Sequence, residues 1–150
     1  MPQSLSKIYV HLIFSTKNRE RVLTDPIRPQ LHSYMGGILN GLGCAPIEIN
    51  SEPDHVHILF LLARTETTSN VVAQLKKSSN DWLRTQGSAF TNFFWQAGFG
   101  AFSVSKSQVE AVSHYIKTQR EHHRVKSFQE EFRAFLRAHD AEFDEHYVWD

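Results

Sequence analysis

An α+β fold is predicted by the order of apolar periodicities along this chain. Residues 6–15 alternate and are rich in β-formers. Apolar residues then recur at helical spacing through Ile27, Leu31, Tyr34, Met35 and Ile38. Two strand-like runs, a second helical run and another extended stretch follow, so the order is β-α-β-β-α-β with helices after it. That is the split βαβ, ferredoxin-like arrangement: a four-stranded antiparallel sheet with helices on one face, plus C-terminal helices.

Each element has a local reason. Lys17-Asn18-Arg19-Glu20-Arg21 is a charged loop after strand one. Thr24 or Asp25 can cap the first helix, with Pro26 in its first turn, and Gly41 and Gly43 end it. Residues 45–52 form strand two. The Ser51-Glu52-Pro53-Asp54 cluster turns the chain into strand three, residues 55–62, as a hairpin. Strand three is expected to be central. Thr67 to Asn70 offer caps for a second helix over residues 71–84, with Val72, Leu75, Ser79 and Leu83 facing inward. Residues 93–97 and 99–103 read as extended, with a bend at Gly98 and Gly100. Ser105 or Ser107 caps a third helix reaching about His123. A fourth helix over 128–139 carries Phe132, Phe135 and Leu136.

One domain spanning residues 1–150 is expected, because 150 residues with 41% apolar content can bury a real core. Residues 127–150 form an acidic extension. The lone Cys44 forms no disulfide within the chain and suits a reducing, cytoplasmic compartment. No targeting segment or membrane-spanning run is visible. Net charge is zero, yet it is unevenly spread. Residues 1–126 carry 14 Lys and Arg against 9 Asp and Glu, a surplus of +5; residues 127–150 carry 2 against 7, or −5. A basic body is compatible with DNA, although an ordinary mixed surface reads the same way.

The chemistry centres on Pro53-Asp54-His55-Val56-His57-Ile58. Alternation puts His55 and His57 on one strand face, about 6–7 Å apart, where they can share a divalent metal. Alone, a His-x-His strand is ordinary. Position 59 is Leu, which removes the third alternating histidine of the histidine-triad hydrolases, and the paired His-x-Thr/Ser motifs of the 2H phosphodiesterases are absent. The second half of the signal is Tyr115 and Gln119, one helical turn apart on one face. A glutamine carbonyl is a neutral oxygen ligand. A phenol is a poor nucleophile until it loses its proton or meets a cation. Asp54 can accept from an imidazole N–H or simply form the turn. Lys76, Lys77, Arg84, Arg120, Arg124 and Lys126 are candidate phosphate contacts, and Trp82, Trp95, Phe93 and Phe94 can stack on bases or pack in the core.

These motifs together resemble the single-tyrosine HUH transposases of the insertion-sequence 200/605 type, including those associated with repetitive extragenic palindromes (REPs). The resemblance covers nearly the whole chain. It rests on Pro53-Asp54-His55-Val56-His57, Trp95-Gln96 with Gly98-Phe99-Gly100-Ala101-Phe102-Ser103-Val104-Ser105, Tyr115-Ile116 with Gln119, Glu121-His122-His123, Phe128-Gln129-Glu130-Glu131-Phe132 and Tyr147-Val148-Trp149-Asp150. Phe99 and Thr118 stand where relatives often carry Tyr and Asn. The resemblance implies Tyr115 as nucleophile, with His55, His57 and Gln119 binding Mg²⁺ or Mn²⁺. It implies cleavage and rejoining of single-stranded DNA through a 5′-phosphotyrosine, and recognition of hairpin DNA. It also implies a homodimer, a nucleoid-associated place in a bacterial-type cytoplasm, and no small-molecule cofactor. His122 and His123 share the broad face of Tyr115 and can contact metal or phosphate. A hairpin-binding protein that no longer cuts, and a replication or relaxase-type HUH nuclease, are the alternatives. Strand one, blunted only by Lys7 and His11, is the expected dimer edge.

Overall fold

The computed structural model describes residues 2–119 and 126–150. Its strands are β1 (Ile8–Ser15), β2 (Ala45–Glu52), β3 (His55–Leu62) and β4 (Gly100–Val104). Its helices are α1 (Arg28–Gly41), α2 (Thr68–Leu83), α3 (Val109–Lys117) and α4 (Phe128–Ala138). The sheet order is β2-β3-β1-β4 and every pairing is antiparallel. This is the expected split βαβ sheet, with β3 central.

The two sheet faces have different contents because side chains alternate. Val10, Leu12 and Phe14 of β1 and Val56, Ile58 and Phe60 of β3 pack against Leu31, Met35 and Leu39 of α1 and Val71, Val72, Leu75 and Leu83 of α2. Each such burial contributes about 1.5–3 kcal/mol. Thr67 caps α2 by accepting from the Asn70 N–H, and the four inward residues expected for this helix are all buried. The opposite face carries the histidines. It is covered by Val109 and Ile116 of α3 and by Phe128, Phe132 and Leu136 of α4. The acidic segment therefore supplies a layer of the fold through α4. Gly100 admits this layer, since a Cβ there would run into the Phe132 ring.

Several expectations change. β1 is not an edge: it pairs with β3 on one side and β4 on the other. Its richness in β-formers reflects a strand buried on both faces, so the argument for a dimer through a free β1 edge falls. α1 begins at Arg28, and Pro29 rather than Pro26 lies in its first turn. The expected extended stretches 93–97 and 99–103 yield one strand, Gly100–Val104; Trp95 makes one isolated bridge to Thr16. The third helix is regular from Val109 to Lys117. Its expected continuation, with Arg120, Glu121, His122, His123 and Arg124, lies outside the described residues.

Candidate active site

The β1–β3–β2 ladder sets the site. His55 and His57 project from the middle strand on the face covered by α3 and α4, and both are buried. His55 Nδ1 lies 2.6 Å from Asp54 Oδ1, so the turn residue orients the ring. His57 Nδ1 lies 2.8 Å from His11 Nε2. His11 reaches it because Ile13 is the register partner of His57, which makes His11 its diagonal neighbour on the same face.

α3 is held over this face by Asn50, the register partner of His57 on β2. The Asn50 amide donates to the Ile116 carbonyl at 2.8 Å, satisfying one of the carbonyls that a helix end leaves unpaired. Arg28 in turn donates to Asn50 Oδ1 at 2.8 Å. The clamp places the Tyr115 ring 6.1 Å from the His57 ring within the same chain. Gln119 is buried beside it, and its amide donates to the Tyr115 carbonyl at 3.4 Å.

Glu131 joins these groups. Ser127 caps α4 through the Glu130 N–H, and Glu131 sits in the first turn, where the helix dipole favours a carboxylate. Its Oε1 lies 2.9 Å from His57 Nε2 and 3.6 Å from His55 Nε2. Its Oε2 accepts from the Tyr115 hydroxyl. One buried carboxylate thus meets Tyr115, His55 and His57, three of the four expected functional side chains.

These contacts fix the protonation states. Burial opposes charge on His55, but its bonds to Asp54 and Glu131 outweigh that and raise its pKa above the ordinary 6.5. Burial pulls His11 well below that value, with the neighbouring His57 adding to the effect. Burial first, and then the Glu131 charge and hydrogen bond, push the Tyr115 phenol far up, while a bond from Gln119 acts weakly the other way. Tyr115 therefore holds its proton at neutral pH while Glu131 is beside it.

The site fits a divalent cation. One ligand atom each from His55, His57 and Glu131 lies within 4.8 Å of the others, and all three side chains are buried. Imidazole and carboxylate donors together suit a first-row divalent ion. Glu52, the register partner of His55, also has a buried Oε1 with no hydrogen-bond partner among the described residues. An unmet buried acceptor costs about 1–3 kcal/mol, and a nearby cation would reduce that.

A sequence profile described as "Transposase IS200 like" matches residues 4–119. The chain belongs to this family. No curated protein matches it. Among solved structures, an IS200-like fold is shared with a candidate transposase from Deinococcus radiodurans R1, at 23% identity and a TM-score of 0.62, covering 79% of this chain and 98% of that one. It is shared also with a REP-associated tyrosine transposase solved bound to a REP hairpin, at 16% identity and a TM-score of 0.60, covering 82% and 73%. In this IS200-like transposase Glu131 lies in a motif run that assigns it no role, and His11 reads from sequence only as a residue blunting the strand-one edge.

The remaining candidates are dispersed. Lys76 donates to the carbonyls of Gln96 at 2.7 Å and Gly98 at 2.6 Å, so it ties α2 to the loop before β4, and burial lowers its pKa to about 8. Arg84 donates to the Phe93 carbonyl and lies 4.4 Å over the Phe94 ring. Lys77 and Lys126 are exposed. Phe93 and Trp95 are core, Trp82 stacks on Tyr34, and Phe94 is 53% exposed. Arg120 and Arg124 lie outside the described residues. No helix among the described residues is long and apolar enough to cross a membrane.

Proposed function

We propose that this IS200-like transposase cleaves and rejoins single-stranded DNA with Tyr115 as nucleophile. The observation that carries the reading is the convergence of Tyr115, His55 and His57 on the Glu131 carboxylate. His55 and His57 would hold a Mg²⁺ or Mn²⁺ ion, with Glu131, Gln119 or both completing the protein ligands. The ion, when bound, would polarise the scissile phosphate and stabilise charge on its oxygens.

The chain's own groups would do the rest. Glu131 Oε2 takes the phenol proton as Tyr115 Oη attacks phosphorus. The Oη–P bond forms, the P–O3′ bond breaks, and the 3′ oxygen leaves as a hydroxyl by taking the proton that Glu131 received from Tyr115. A later 3′ hydroxyl attacks the phosphotyrosine and releases Tyr115, so no ATP is needed. Asp54 and His11 keep the two imidazoles oriented. The structural neighbour solved on a REP hairpin supports a hairpin beside the cut site as the DNA target. Two subunits acting together would hold two DNA ends. A cytoplasmic enzyme working at the nucleoid follows from that substrate.

A protein that binds hairpin DNA without cutting is the second reading, and the burial of the Tyr115 phenol, which with the Glu131 charge raises its pKa, favours it. Incubation with hairpin-flanked single strands and Mn²⁺ or Mg²⁺ separates the two. A covalent adduct in wild type and none in Tyr115→Phe supports cleavage. Tight binding with no adduct under either metal supports the binder.

A further inference from the structure

A cavity of about 530 Å³ opens beside the histidine end of the sheet, between the Lys17–Arg19 turn and the Trp149-Asp150 segment. The geometry points to this cavity as the seat of one unpaired nucleobase of the DNA strand. The inference deepens the proposed function by giving that strand a specific contact outside the catalytic groups.

The walls have the chemistry of a base site. Phe94 and Trp149 offer aromatic surface, and the Phe94 ring is over half exposed. Two cations flank this ring: Arg84 at 4.4 Å and Lys17 at 5.6 Å from the ring centre. Aromatic faces with adjacent cations are how proteins hold single strands, the ring stacking on the base and the cation meeting the phosphate. Asn18 lines the same cavity, is exposed and makes no hydrogen bond to the described residues, so its amide can meet a base edge. Asp150 adds negative charge to the wall. That charge repels a phosphate, so the base enters and the backbone stays at the Lys17 mouth.

The backbone at the mouth is unusual. Asn18 and Arg19 have φ of 58° and 56°, in the left-handed region. Asparagine tolerates this, but arginine does so only under constraint. The constraint is visible: Lys17 N–H donates to the Phe94 carbonyl at 2.9 Å, and Arg19 N–H to the Thr16 carbonyl at 3.0 Å. The turn is thus pinned to the Phe94 wall.

The walls of the cavity are tied to the candidate active site by two sets of packed contacts. Thr16 N–H donates to the carbonyl of Asp54, whose carboxylate orients His55. On the other side Trp149 lies 6.2 Å from the Phe128 ring, which lies 4.7 Å from the His55 ring. A strand whose phosphate sits at His55 and Tyr115 would bring a near-neighbour nucleotide to this opening.

The test is an abasic scan in EDTA, so that no cleavage is involved. A fluorescent hairpin-flanked single-stranded DNA is bound to the full chain, with each unpaired position in turn made abasic. One position should stand out, its abasic form weakening binding on the order of ten-fold, the size of one stacked base. In Phe94→Ala and in Asn18→Gly that same position should lose its effect, while melting temperatures stay near wild type because both side chains are exposed. A flat scan in a protein that binds the strand would overturn the cavity assignment and leave the proposed function standing. So would a scan unchanged in both variants. No binding of any strand by wild type would overturn both.

Discussion

His11 Nε2 lies 2.8 Å from His57 Nδ1, and both rings are buried. The bond fixes the His57 ring so that Nε2 faces Glu131 and the neighbouring His55. A neutral His11 can serve His57 in either tautomer. It donates while His57 Nε2–H bonds to Glu131, and accepts when Nε2 turns its lone pair to a cation. The burial that depresses its pKa keeps it neutral.

Removing that partner should loosen the metal site. His11→Phe should weaken Mn²⁺ binding by about 10- to 100-fold, read by calorimetry or by the free Mn²⁺ resonance signal. His11→Gln can still place an amide near the same point and should retain more affinity than Phe. Equal losses in both variants would assign His11 to packing alone.

Glu131 should control the Tyr115 proton. The phenol is raised by burial first and then by the Glu131 charge and bond, so Glu131→Gln should lower its pKa, measured by ultraviolet titration of tyrosinate. The sign for stability follows. A folded pKa above the ordinary 10.0 means that Tyr115 contributes its full stabilisation below pH 10 and loses it as pH rises further. Glu131→Gln should therefore flatten the alkaline loss of stability.

His55 should make the metal-free protein more stable on the acid side of its own transition. Its folded pKa is raised above 6.5, so this contribution is complete below pH 6.5 and fades as pH climbs through the folded value. Asp54→Asn removes a bond that raises it and should flatten that slope in denaturant midpoints. Because a metal needs the unprotonated ring, Mn²⁺ affinity should fall as pH drops over the same window.

The Gly100 backbone should tolerate no side chain. Gly100→Ala forces the Phe132 ring to move and should destabilise the protein by about 1–3 kcal/mol, seen as a lower melting temperature.

What could be read from the sequence and what could not have a common cause. His55, His57, Tyr115 and Gln119 were visible because periods of 2 and 3.6 are local. The order of the elements agreed because turns and caps, such as Thr67 and Pro53-Asp54, are local too. Glu131 and His11 enter the site only through tertiary packing and register. Both left a faint trace: Glu131 stands on the same helix stripe as Phe128, Phe132 and Phe135, and His11 on the inward face between Tyr9 and Ile13. A polar residue on an apolar stripe deserves a partner, but periodicity cannot say which. β1 was misplaced at an edge for the same reason, since alternation does not reveal how many neighbours a strand has.

The proposed dimer is also testable through this geometry. Tyr115 faces His57 of its own chain, so mixing Tyr115→Phe with His57→Ala protein should restore no cleavage. Recovery of activity would place the tyrosine in the partner's site. Sedimentation at micromolar concentration reads the assembly independently.

The most direct measurement is mass spectrometry of the peptide that remains linked to DNA after incubation with a hairpin-flanked single strand and Mn²⁺. The account predicts a nucleotide 5′ phosphate on Tyr115, lost in Tyr115→Phe. A phosphate on Tyr9, Tyr34 or Tyr147, or free cleavage products with no linked peptide at any time point, would contradict it.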